Sequence, residues 1–139
     1  MSKAALQASS TNVQAVIANG QINVGTIKLR FGRDIGTNDG SISFKTCGYY
    51  KIDTSVTIQP TAIGEVAIKL QHNGVDIPGV TAFGYATVAD QNVTMNVNSI
   101  IRVTCQNGCP CESIPDTVSV VLVDGPGDVV STLTDVVKL

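Results

Sequence analysis

The sequence predicts an all-β domain, an antiparallel jelly-roll sandwich of about eight to ten strands. Three observations predict it. Apolar and polar residues alternate with a period of two along several stretches, as strands with one buried face require. Asn-Gly or Asp-Gly pairs at 19–20, 39–40, 73–74, 107–108 and 124–125 punctuate those stretches, and such pairs supply the positive φ values of tight reversals. No segment shows the apolar period of an amphipathic helix.

Taken in order, residues 1–12 are small and polar without strong alternation. They read as an N-terminal arm, either frayed or docked on a neighbour or a particle, ahead of a single domain over 13–139. Residues 21–31 are apolar and β-branched and read as a strand; 41–44 form a short one. The clearest strand is 50–58, where Tyr50, Ile52, Val56 and Ile58 point one way and Lys51, Asp53, Ser55, Thr57 and Gln59 the other. Val66, Ile68 and Leu70 alternate with Ala67, Lys69 and Gln71, and Val93, Met95 and Val97 with Asn92, Thr94, Asn96 and Asn98. A one-residue slip in any of these would bury the polar face, so the register is well specified. Residues 100–103 break the phase set by 93–97, which predicts a bulge. The nearly continuous apolar run 117–123 predicts a strand covered on both sides, and 129–139 a final strand rich in Val and Thr.

The chain has 139 residues, enough for one domain around one core. Charged residues make up only 14%, well below the usual quarter, which favours a surface partly covered in an assembly. The formal net charge is −2 and the nine Lys and Arg are scattered, against electrostatic binding of nucleic acid. No apolar stretch approaches the roughly 20 residues of a membrane span, and the first residues lack the apolar centre of a secretory signal.

Three segments carry a family resemblance. Cys47-Gly48-Tyr49-Tyr50-Lys51-Ile52 resembles the Gly-x-Tyr-x-Ile/Phe opening of a central core strand. The run 70–79, with Asn73-Gly74 followed by Ile77-Pro78-Gly79, resembles a hairpin known from the heads of collagen-like spore-surface proteins. Residues 119–139 are similar to two closing strands. Together they resemble the bacterial and phage branch of the complement-head and tumour-necrosis-factor (TNF-like) superfamily, over roughly residues 20–139. The resemblance implies a ten-stranded jelly-roll that forms compact homotrimers. Among short proteins of this kind it implies a virion structural protein: a bacteriophage capsid decoration, a head fibre or a fibre tip.

The sequence shows no convincing catalytic constellation. His72 is the single histidine, and its place before a turn reads as solvated rather than as a catalytic base. Cys105, Cys109 and Cys111 form C-x3-C-x-C, with Cys47 far upstream. An even count suits disulfides on an oxidising exterior, with three possible connectivities. Cys47 at the opening of a core strand is the natural long-range partner of the loop. The four thiols also admit tetrahedral zinc, although the spacing is not that of paired C-x-x-C knuckles, and they equally read as free thiols in a loop between strands. Asp124 and Asp128 flank Gly125-Pro126-Gly127 and could offer oxygens to Ca²⁺, but read as a solvated hairpin. Residues 36–40 lack the helix start of a phosphate loop, and no cofactor is expected.

The leading functional expectation is therefore a non-enzymatic, trimeric structural protein on the exterior of a virion, with other particle proteins as partners. A receptor- or glycan-binding tip is the second. Sugar sites usually rely on exposed aromatics, and this chain has no Trp, three Tyr and three Phe. A spore or cell-surface filament subunit is the third.

Overall fold

The computed structural model describes residues 3–104, 116–124 and 127–139. Among these residues twelve strands follow one another without a helix: β1 (Ala5–Ser10), β2 (Gln14–Val16), β3 (Gln21–Ile22), β4 (Thr26–Phe31), β5 (Ile35–Asn38), β6 (Ser41–Phe44), β7 (Gly48–Pro60), β8 (Gly64–His72), β9 (Val75–Ala86), β10 (Val93–Val103), β11 (Asp116–Asp124) and β12 (Gly127–Lys138). They form two antiparallel sheets. The first runs β10-β7-β12-β1-β4, with β2 beside β12; the second runs β5-β6-β11-β8-β9, with β3 beside β11. The neighbours are far apart in sequence, as a jelly-roll demands.

The alternation read from the sequence decides which side chains meet between the sheets. Tyr50, Ile52, Val56 and Ile58 of β7 are at most 1% exposed, and Val66, Ile68 and Leu70 of β8 face them from the second sheet's core side. Thr54 is buried in the same row, where its hydroxyl pairs with that of Thr134 at 3.2 Å; a buried hydroxyl needs such a partner. The Asn73-Gly74 hairpin forms as expected, with φ of 54° and 81° at its two centres. After it, β9 makes a wide excursion. Lys69 pairs with Thr81 and Gln71 with Asp76, so residues 77–80 oppose Leu70 alone. The extra residues let Ile77 and Val80 fold against the core.

Three expectations need correction. The segment 1–12, read as an arm, holds within its described residues a strand of the first sheet. Ala5–Ser10 is an interior strand, paired with β12 on one side and β4 on the other, with Leu6 and Ala8 buried. Residues 21–31 are not one strand. Val24 and Gly25 carry the chain from the second sheet to the first, and a Cβ at Gly25, where φ is +89°, would collide with the Ser9 carbonyl. There is no bulge at 100–103 either. The β10–β7 register runs unbroken from Val93–Ile58 to Val103–Gly48. Ser99 holds the inward phase, and Ile100 simply points out.

Candidate functional site

The outer face of the first sheet is built from the residues that alternate with the core. Register sets them in rows. One row reads Ile100, Lys51, Val137, Ala5 and Phe31, from β10 across β7, β12 and β1 to β4. The next reads Asn98, Asp53, Asp135, Gln7 and Leu29. Polar side chains cross-link the middle of this face: Asn96 donates to Asp53 at 2.7 Å and to Ser55 at 3.0 Å, and Gln7 donates to Asp135 at 2.9 Å; Ile100, at the β10 end, is 59% exposed. These amides offset the repulsion expected between carboxylates placed directly opposite one another, as Asp53 and Asp135 are.

Towards β4 the same face is apolar. Leu29 and Phe31 are 66% and 65% exposed and Val137 is 47% exposed. With Ala5 they line a groove of about 470 Å³, continued past Leu139 by a second of about 380 Å³. A contiguous apolar patch in water marks a surface that meets another one. A second exposed apolar pair, Phe83 and Tyr85, stands on β9, the edge strand of the other sheet. That edge closes on β10, where Gly84 lies against Val93 and Met95. The apolar groove and the exposed aromatic pair lie on separate parts of the chain.

The residues singled out in the sequence fall elsewhere. His72 is more than a solvated turn residue: its Nε2 lies 2.9 Å from Asp116 Oδ2, with the side chains 26% and 18% exposed. The next residue, Asn73, exchanges two bonds with Thr117, so this pair ties the end of β8 to the start of β11. Cys47 is disulfide-bonded, and a bridged sulfur has no thiolate to offer zinc. Cys105, Cys109 and Cys111 lie outside the described residues, as does the segment 125–126 between Asp124 and Asp128. Residues 36–40 form the β5–β6 hairpin, with Asp39 and Gly40 at φ of 51° and 81°.

Sequence reasoning missed one polar cluster. Lys138 Nζ donates to Asp34 at 2.9 Å and to the Thr46 hydroxyl at 3.1 Å. It lies 5.8 Å from the Tyr50 ring centroid, and the Tyr50 hydroxyl donates to the Thr46 carbonyl at 2.9 Å. The cluster fastens the last strand to the loops before β5 and β7. Lys138 lies 104 residues from Asp34 and 92 from Thr46, and no local pattern could have joined them.

No protein-family model matches the chain, and no curated protein matches it. Solved structures do. Murine APRIL superposes with a TM-score of 0.69 at 12% identity, covering 99% of this chain and 100% of that one. Eiger TNF from S. frugiperda gives 0.67 at 10% identity over 99% and 91%. The globular domain of zebrafish complement 1qA gives 0.69 at 10% identity over 94% of each. The chain thus has the TNF-like and complement-head jelly-roll fold, in agreement with the fold expected from the sequence.

Proposed function

We propose that the protein is a non-enzymatic structural module that works as a homotrimer on the exterior of a particle, as a bacteriophage capsid decoration, head fibre or fibre tip. The apolar corner of the outer sheet face carries the trimeric part of this reading. Leu29, Phe31 and Val137 leave a groove that water fills poorly, and Phe83 with Tyr85 offers rings to fill it. Because the two surfaces differ, repeated contact generates a ring where the rotation closes, rather than a two-fold pair, and the fold's own resemblance favours a closed ring of three. The virion assignment rests on the resemblance described above and on the low charge content.

Light scattering tests the assembly. The expected mass is three times 14.5 kDa, and Phe31→Asp is expected to give a folded monomer because it sets a charge in the groove while sparing the core. A folded wild-type monomer at micromolar concentration would overturn the trimer. Electron microscopy of particles carrying the protein tests the location. As part of the same reading, Cys47 bridges to one of Cys105, Cys109 and Cys111, and peptide mapping without reduction identifies which. Four alkylatable cysteines in the native protein would exclude the bridge.

A further inference from the structure

The two ends of the sandwich carry opposite chemistry. At one end, where Lys138 N–H donates to the Ala4 carbonyl and Leu139 N–H to that of Tyr49, lie Lys3, Arg33, Lys45 and Arg102, all exposed. Among the described residues the ion pairs are Lys69–Asp76, His72–Asp116 and Lys138–Asp34, so these four cations are engaged by none of them. Tyr49 and Leu139 stand among them, 52% and 60% exposed. The far end is built from the turns between β2 and β3, β5 and β6, β7 and β8, and β9 and β10. The stretches that cross it, 11–26, 34–44, 52–68, 77–101 and 117–137, contain no Lys or Arg. They expose Asp39, Glu65 and Asp90, with Ile17, Ile63 and Val88 at 80%, 62% and 63%.

These aliphatics share one tip. Val16, Gly127 and Pro60 are successive cross-strand partners, and Asp90 N–H donates to the Pro60 carbonyl at 2.9 Å. Four backbones in a row at the usual strand spacing span roughly 15 Å. The tip is therefore an acidic surface with aliphatic knobs, bordered by a single cation, Lys28, beside Thr11, Asn12 and Gly25. Its complement is the opposite end of the same molecule, a mainly basic surface with exposed apolar groups, where Asp76, paired with Lys69, lies in the same hollow as Arg102.

We infer that the far end of one copy docks on the terminal end of another, so that the protein associates head to tail. Asp39, Glu65 and Asp90 meet Lys3, Arg33, Lys45 and Arg102, while Ile17, Ile63 and Val88 cover Tyr49 and Leu139. Like ends repel, so the contact is polar and does not close on itself; repeated, it builds a linear stack. The stack meets the lateral groove only at its end, through Lys3 and Leu139, and leaves Leu29, Val137 and the aromatic filler free for a lateral contact.

Sedimentation velocity at low and high salt tests this. The wild type is expected to form species larger than its basic unit as concentration rises at low salt, and to revert when salt screens the charges. Two variants sharpen the test. Glu65→Lys with Asp90→Lys reverses the tip; Arg33→Glu with Lys45→Glu reverses the base. Each alone should keep the basic unit and lose the larger species, and mixing the two should restore them, because reversed tips then meet reversed bases. A wild type that stays a single unit at low salt would overturn the proposal, as would larger species that survive in each variant alone. A single-unit wild type whose tip-reversed variant alone loses attachment to isolated particles would give the far end to a basic partner protein instead.

Discussion

On β7, Tyr50, Ile52, Val56 and Ile58 are almost wholly withdrawn from water, while Tyr49, Lys51, Asp53 and Ser55, interleaved with them, face out. The two faces of this sheet share every backbone atom and differ in what decides their composition. The inner face must exclude water, so it is mostly apolar, and its buried threonine hydroxyls are satisfied internally, Thr54 by Thr134 and Thr132 by the Val24 carbonyl. The outer face is mixed: polar pairs such as Asn96–Asp53 and Gln7–Asp135 sit beside the exposed Leu29, Phe31 and Val137. A fold alone does not ask for those exposed apolar side chains. Side chains such as Phe31 and Leu29 are left for a second surface to cover, and the difference separates what the chain needs in order to fold from what it offers to a neighbour.

Removing residues 1–10 is the most drastic way to break the comparison. It takes away β1, which lies between β12 and β4 and supplies Leu6 and Ala8 to the core. The two faces then fail together, and no cooperative thermal transition is expected. A truncated protein that still melts cooperatively would mean that β4 and β12 can close the sheet without it.

Ile58→Ala probes the inner face by itself. Ile58 is fully buried, and truncation to Ala is expected to cost about 2 to 5 kcal/mol through lost transfer energy and a residual cavity. Its neighbour Thr57 points outward and shares a hydroxyl contact of 2.9 Å with Thr94. Thr57→Ala should cost within about 0.5 kcal/mol, the usual range for surface changes. Denaturant unfolding of both variants reads the contrast, and equal losses would show that the outer face is covered even in the isolated chain.

The inner face was also the legible one. Alternation of large β-branched residues placed β7 and β8 without help, and Asn73-Gly74 placed the hairpin. The failures share a physical cause: small or polar residues standing where the pattern expects a large apolar one. In β1 and just before it the inward positions are Ala4, Leu6 and Ala8, and alanine barely registers as one phase of an alternation. In β10 the inward position between Val97 and Ile101 is Ser99, so Ile100 reads as a break in phase. The split of 21–31 turns on one glycine whose role is a close approach to Ser9, a neighbour that the sequence does not reveal. The outer apolar corner was invisible for a different reason. Leu29, Phe31, Val137 and Ala5 are scattered over the chain, and register alone brings them into adjoining rows.

The smallest effect lies on the outer side of the second sheet. Asp76, in the strand after the Asn73-Gly74 turn, accepts from the Gln71 side chain at 2.8 Å and from Lys69 at 3.0 Å. The Gln71 bond is the larger cause and the Lys69 bond the second in holding the carboxyl below its ordinary value of 3.8. A carboxyl whose folded value is lowered adds stability that is present above the unfolded value and lost as pH falls through the folded one. Wild-type stability is therefore expected to decline slightly more steeply below about pH 4 than that of Gln71→Ala or Asp76→Asn. The group is fully exposed, and water screens such contacts strongly, so the slopes should differ only marginally in unfolding curves collected across this acid range. A large difference would show that the outer surface of this hairpin is shielded from solvent, and the contrast between covered inner faces and open outer ones would then have to be redrawn for the second sheet.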